Sequence, residues 1–82
     1  MIKIYGSMLC KDCVQCCNDF YAAGLEYEFL DFADSLIYLK EFLVLRERES
    51  VFASAIENGS IGIPCIVTDD GLVRLEWDSF IK

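Results

Sequence analysis

The chain contains no histidine and only one proline, Pro64, and its seven Lys and Arg face fourteen Asp and Glu. Without histidine a mixed Cys/His zinc site cannot be completed. The few basic residues are scattered instead of gathered into a stripe, and a net charge of −7 argues against nucleic acid as a partner. No apolar run approaches the roughly 20 residues of a membrane span, so no membrane partner is expected. The opening stretch, MIKIYG, lacks the basic start, long apolar run and small-residue cleavage site of a secretory signal. A soluble, cytoplasmic protein is the expectation.

What is present is a core. Among 82 residues, 55% are hydrophobic, including six Phe, four Tyr and one Trp. That suffices for a single small domain over 1–82. The excess of acid reads as a solubility feature. Against this background five cysteines stand out, four of them inside the stretch SMLCKDCVQCC as Cys10, Cys13, Cys16 and Cys17. In a reducing compartment structural disulfides are rare, so clustered thiols point to redox chemistry or metal binding.

The pattern along the chain alternates strands and helices. IKIY at 2–5 is β-rich and ends at Gly6. From Lys11 to about Ala23 the spacing is helical, with Cys10, Cys13, Val14, Cys17, Phe20 and Tyr21 on one stripe and Gly24 as a stop. LEYEFLDF at 25–32 alternates as a strand. A helix between two such strands implies that they pair in parallel.

Asp34 or Ser35 can cap a second helix, LIYLKEFLVLRER, which is apolar around most of its circumference and is expected to pack between the sheet and another helix, the other reading being a self-association surface. Ser50 can cap a short third helix through Glu57, closed by Asn58-Gly59-Ser60. Two strands flank the Asp70-Gly71 turn. WDSFIK supplies about one helical turn, with Asp78 or Ser79 as cap. The order is β-α-β-α-α-β-β with a vestigial C-terminal turn, giving an α/β domain with a four-stranded mixed sheet and flanking helices.

Helix geometry separates the clustered thiols. Cys10 and Cys13, at i and i+3 across a first turn, can bring their α-carbons to roughly 5 to 6 Å, within disulfide reach. At a helix start, unpaired N–H groups and the macrodipole favour the Cys10 thiolate, making it the nucleophile. Cys13, one turn deeper, is placed to resolve a mixed disulfide on Cys10. Lys11 would assist the thiolate by charge and Asp12 would oppose it. Cys17, about 10 Å from Cys10 along the axis, reads as a small apolar core residue. Cys16 lies at the edge of the stripe near Cys13, as a packing residue or an auxiliary thiol.

A strand ending in a turn, a C-x-x-C that opens a helix, and a distant Ile-Pro before a strand hairpin together resemble the glutaredoxin branch of the thioredoxin-like fold, above all small glutaredoxin-related proteins of bacteria. The resemblance spans nearly the whole chain. It implies a thioredoxin-like fold and dithiol thiol-disulfide exchange, with Cys10 as nucleophile and Cys13 as resolving thiol. It also implies that Pro64 is preceded by a cis peptide bond, so that Ile63 presents its backbone to the substrate. Lys11 stands where the family usually has proline and Asp12 where an aromatic is common. The Gly-Gly and most of the final helix that hold glutathione in the family are missing from EWDSFIK. Asp78 and Ser79 are left as candidates to cap a glutathione carboxylate. Cys65, next to Pro64, is a further candidate auxiliary thiol, or the first buried residue of its strand.

The implied substrates are disulfides of proteins or small molecules. The electron donor would be glutathione or a thioredoxin-reductase-type system, with no tightly bound cofactor. The rival reading is a metal or iron–sulfur protein using Cys10 and Cys13 with Cys16 or Cys65. The spacing C-x-x-C-x-x-C matches the start of a ferredoxin run, but the final Cys-Pro pair is absent and a continuous helix cannot wrap three thiols around one cluster.

Overall fold

The computed structural model describes residues 1–82. Five strand residues, Ile2–Gly6 (β1), lead to helix α1 (Lys11–Ala22) and strand β2 (Tyr27–Asp31). Helix α2 (Leu36–Arg48), a 3-10 turn at Ser50–Phe52 and helix α3 (Ala53–Glu57) follow. Strands β3 (Cys65–Val67) and β4 (Val73–Arg74) precede a last turn of helix, α4 (Asp78–Ile81). No helix is long and apolar enough to cross a membrane.

The four strands form one mixed sheet in the order β2-β1-β3-β4. β1 and β2 pair in parallel, Ile2 opposite Tyr27 and Gly6 opposite Asp31, as a helical crossover between them requires. β3 runs antiparallel to β1 and to β4. The connection from β3 to β4 is closed at Thr68 and Leu72: Thr68 N–H donates to the Leu72 carbonyl at 3.0 Å and Leu72 N–H to the Thr68 hydroxyl at 3.1 Å.

Because side chains alternate along a strand, β1 and β3 serve two cores. Ile4 and Ile66, partners across the ladder, turn to α1 and meet Cys16, Cys17 and Phe20. Tyr5 and Cys65, the next pair, turn the other way and meet Leu30, Phe42 of α2, Phe52 and Val73. The result is three layers, with α1 and α4 on one face of the sheet and α2 with the 3-10 turn on the other. Phe20 anchors the first core, packing edge-on against Tyr27 at 5.8 Å between ring centroids and, with the rings tilted by 46°, against Phe80 of α4 at 5.9 Å.

Three expectations are corrected. The buried stripe of α1 is Cys13, Cys16, Cys17 and Phe20. Cys16, expected at the edge, is fully buried, while Tyr21 is 83% exposed, because the sheet approaches α1 on its Cys16 side. Helix α2 is not sandwiched. Only Phe42 is fully buried on it, and Leu36, Ile37, Leu43 and Val44 are exposed, since the other long helix lies across the sheet and α3 has five residues. Finally, Ser35 does cap α2, accepting from the Ile37 N–H at 3.1 Å, but Ser50 makes no capping bond. Trp77, not Asp78 or Ser79, takes the N-cap position of α4.

That last difference has a cause in α1. Asp19 accepts a hydrogen bond from the Trp77 indole N–H at 2.8 Å through one carboxylate oxygen and from the Gln15 amide at 2.8 Å through the other. The pair fixes where the terminal turn begins. Asp19→Ala should leave the partly buried indole N–H unpaired, lower stability by about 1 kcal/mol and shift the emission of the single tryptophan; an unchanged unfolding midpoint in urea would contradict this.

Candidate functional site

The candidate site is built where β1 ends. The chain turns through Ser7–Leu9, held by the Cys10 N–H donating to the Ser7 carbonyl at 3.0 Å and the Leu9 N–H to the Ser7 hydroxyl at 3.1 Å. Cys10 takes the N-cap position of α1 with extended backbone, φ −94° and ψ 122°, and its side chain caps no N–H. Its thiol is half-buried, whereas Cys13, Cys16, Cys17 and Cys65 are buried.

Cys13 sits one turn into α1, against the end of the first strand. A β-carbon built on Gly6 would lie 2.6 Å from the Cys13 sulfur, so the absence of a side chain at Gly6 creates the space this thiol fills. Burial pushes the Cys13 thiol up to about 12, the Ser7 backbone N–H opposes the rise, and a hydrogen bond with the neighbouring Cys10 thiol adds to it. Cys10 and Cys13 are therefore neighbours across the first turn of α1.

The other thiols diverge. Burial lifts Cys16 to about 12, helped by Cys17 and Cys13. Cys17 is raised by burial too, less a contribution from its hydrogen bond with the Tyr27 hydroxyl. Both belong to the core between α1 and the sheet. Cys65 is fully buried and lifted to about 12 by burial, then by Glu49. It belongs to the opposite core, because its strand position makes it the partner of Tyr5 instead of Ile4. Cys65 thus follows Pro64 in sequence and yet turns away from the sheet face that α1 covers. No group of three or more His, Cys, Asp or Glu side chains is arranged to hold a metal ion. With Cys16 inside one core and Cys65 inside the other, the two candidate additional ligands do not join Cys10 and Cys13.

Beside Cys10 lies an open groove of about 520 Å³, walled by Ser7, Leu9 and Cys10 on one side and by Gly59 to Ile63 on the other. The Ile63–Pro64 bond is cis. Ile63 faces the groove and Pro64 is buried behind it. Lys11 is exposed and lies outside the groove lining, as do Asp78 and Ser79.

The far wall is held from behind. Arg46 on α2 donates from Nε to the Ile61 carbonyl at 2.9 Å and from Nη2 to the Ser60 carbonyl at 2.8 Å. Gly62 has φ +93°, and a β-carbon there would meet the Phe52 ring at 2.7 Å, so this loop follows the ring closely as only glycine permits. Sequence reasoning missed Arg46 and Gly62. The Gly-Ile-Pro run was a signal for the second, and nothing local signalled the first.

Two outcomes follow. Arg46→Met should release the two carbonyls and speed amide exchange at residues 59–63 with little change in α1; unchanged exchange in the loop would refute the anchoring role. For the buried thiols, the folded chain keeps protons up to about 12 that an unfolded chain gives up near the ordinary value of 9.0. Above that ordinary value the unfolded state binds fewer protons, so stability is fully present below it and falls as pH rises toward 12. Urea unfolding across alkaline pH should show this fall, and Cys65→Val should make it shallower. An equally steep fall in the variant would assign the loss to other groups.

No model of a known protein family matches the chain, and no solved structure matches it at a significant level. Over 67 residues it is 30% identical to an uncharacterized protein of Haemophilus influenzae, a match that covers 82% of this chain and 78% of that protein. The chain belongs to the same family as this Haemophilus influenzae protein.

Proposed function

We propose that the chain is a dithiol thiol-disulfide oxidoreductase of the glutaredoxin-like kind, with Cys10 as nucleophile and Cys13 as resolving thiol. The observation that carries the reading is the contrast between two thiols one helical turn apart: Cys10 is half-buried and opens onto a groove, and Cys13 is fully buried. A thioredoxin-like classification of the fold accords with the β2-β1-β3-β4 order, the helical crossover between parallel strands and helices on both faces.

In the reaction the Cys10 thiolate attacks one sulfur of a substrate disulfide. The substrate S–S bond breaks, a mixed disulfide forms on Cys10, and the first substrate thiolate leaves and takes up a proton. Cys10 then no longer presents a thiol to Cys13, which removes that neighbour's part of the upward shift at Cys13. Cys13 gives up its proton and attacks the Cys10 sulfur, so that the mixed disulfide breaks, a Cys10–Cys13 bond forms and the second substrate thiol is released. The substrate gains two electrons and the cysteine pair loses them; a dithiol, or two monothiols such as glutathione, restores the pair.

The groove supports this sequence of steps. Among its wall residues, Ile61, Gly62 and Ile63 donate no backbone hydrogen bond within the chain, which leaves N–H groups free for an extended substrate beside Cys10. No charged side chain crowds the nucleophile from the groove walls.

After mild oxidation, peptide mapping should find Cys10 joined to Cys13, with Cys16, Cys17 and Cys65 still reduced. Cys10→Ser should abolish disulfide reduction, and Cys13→Ser should accumulate the mixed disulfide that the parent chain resolves. A preferred Cys13–Cys16 bond, or full turnover in Cys10→Ser, would sink the assignment.

A further inference from the structure

We infer that the groove beside Cys10 takes polypeptide disulfides whose neighbouring residues are uncharged and apolar, in preference to glutathione disulfide. The inference rests on the proposed redox role and concerns what that site selects.

The walls of the groove contain no ionisable side chain other than the Cys10 thiol. Their apolar surface is open to solvent: Leu9 is 97% exposed on one side and Ile61 59% exposed on the other. Two such side chains flanking a reactive sulfur offer contact area to apolar residues on either side of a substrate cysteine. Glutathione presents two carboxylates and one ammonium per half, and the groove walls provide no cation to pair with them. The Arg46 guanidinium behind the wall has its Nε donor on the Ile61 carbonyl and its Nη2 donor on the Ser60 carbonyl. Lys11 is followed at once by Asp12, both exposed, so the helix start brings no net positive side-chain charge. The chain as a whole carries −7, which disfavours an approaching anion over distances of about 10 Å at moderate salt. An uncharged or cationic polypeptide meets neither obstacle, and the unpaired N–H groups along Ile61 to Ile63 can pair with its backbone.

The test uses the reduced full chain in single turnover against three disulfides. These are the N-acetylated, amidated dimers of Leu-Cys-Leu and Glu-Cys-Glu, and glutathione disulfide. Each rate is divided by that of dithiothreitol with the same disulfide, which removes differences in intrinsic reactivity. The Leu peptide should react about tenfold faster than either anionic disulfide on this scale, a gap of the size that one or two buried methylenes provide. Ile61→Lys should slow the Leu peptide and speed both anionic ones, collapsing the gap. Equal normalised rates, glutathione disulfide reacting fastest, or a gap untouched by Ile61→Lys would overturn the inference while leaving the oxidoreductase reading intact. Failure to reduce any of the three, with no Cys10–Cys13 bond formed, would overturn that reading and the inference with it.

Discussion

The contact between Gly6 and Cys13 sets the geometry of the candidate site. A β-carbon on Gly6 would come within 2.6 Å of the Cys13 sulfur, so the last residue of β1 and the first turn of α1 approach each other as closely as they do only because one of them has no side chain. Gly6 is itself fixed by the parallel ladder, opposite Asp31, and its carbonyl accepts the Phe32 N–H at 3.0 Å. The central strand thus positions Cys13, and one helical turn positions Cys10 relative to it.

From the same strand comes the division of the remaining cysteines. Successive side chains of β1 and β3 face opposite ways, and each face is covered by a different helix layer. Cys16 and Cys17 fill the layer under α1 as small apolar residues, and Cys65 fills the layer under α2. Their burial raises the cost of ionising them. A thiol that stays protonated in a packed core is a poor nucleophile, so the same packing that stabilises the domain leaves Cys10 as the thiol in reach of a substrate.

The groove depends on both layers. Its near wall follows from the end of β1 and its far wall from the segment leading into β3, which are adjacent because β1 and β3 pair. The far wall is shaped by Phe52 against Gly62 and tied by Arg46. Phe52 belongs to the core opposite α1 and Arg46 to helix α2 on that same side, so the surface beside Cys10 is supported from the other side of the sheet.

Much of this was legible in the chain. Hydrophobic periodicity locates β1, α1, β2 and α2 to within about two residues, and the i, i+3 spacing alone singles out Cys10 and Cys13. Those features are local, since periodicity and helical rise follow from backbone geometry alone. The sequence by itself therefore determined the order of elements and which cysteines share a helical turn. Only the tertiary structure decided that Cys16 is core, that Cys65 turns away from the α1 face, that the apolar surface of α2 is left uncovered, and that Arg46 holds the groove wall. Each of these depends on which element packs against which face of the sheet. That choice is made by contacts between residues far apart in the chain, for which neither spacing nor composition carries a signal.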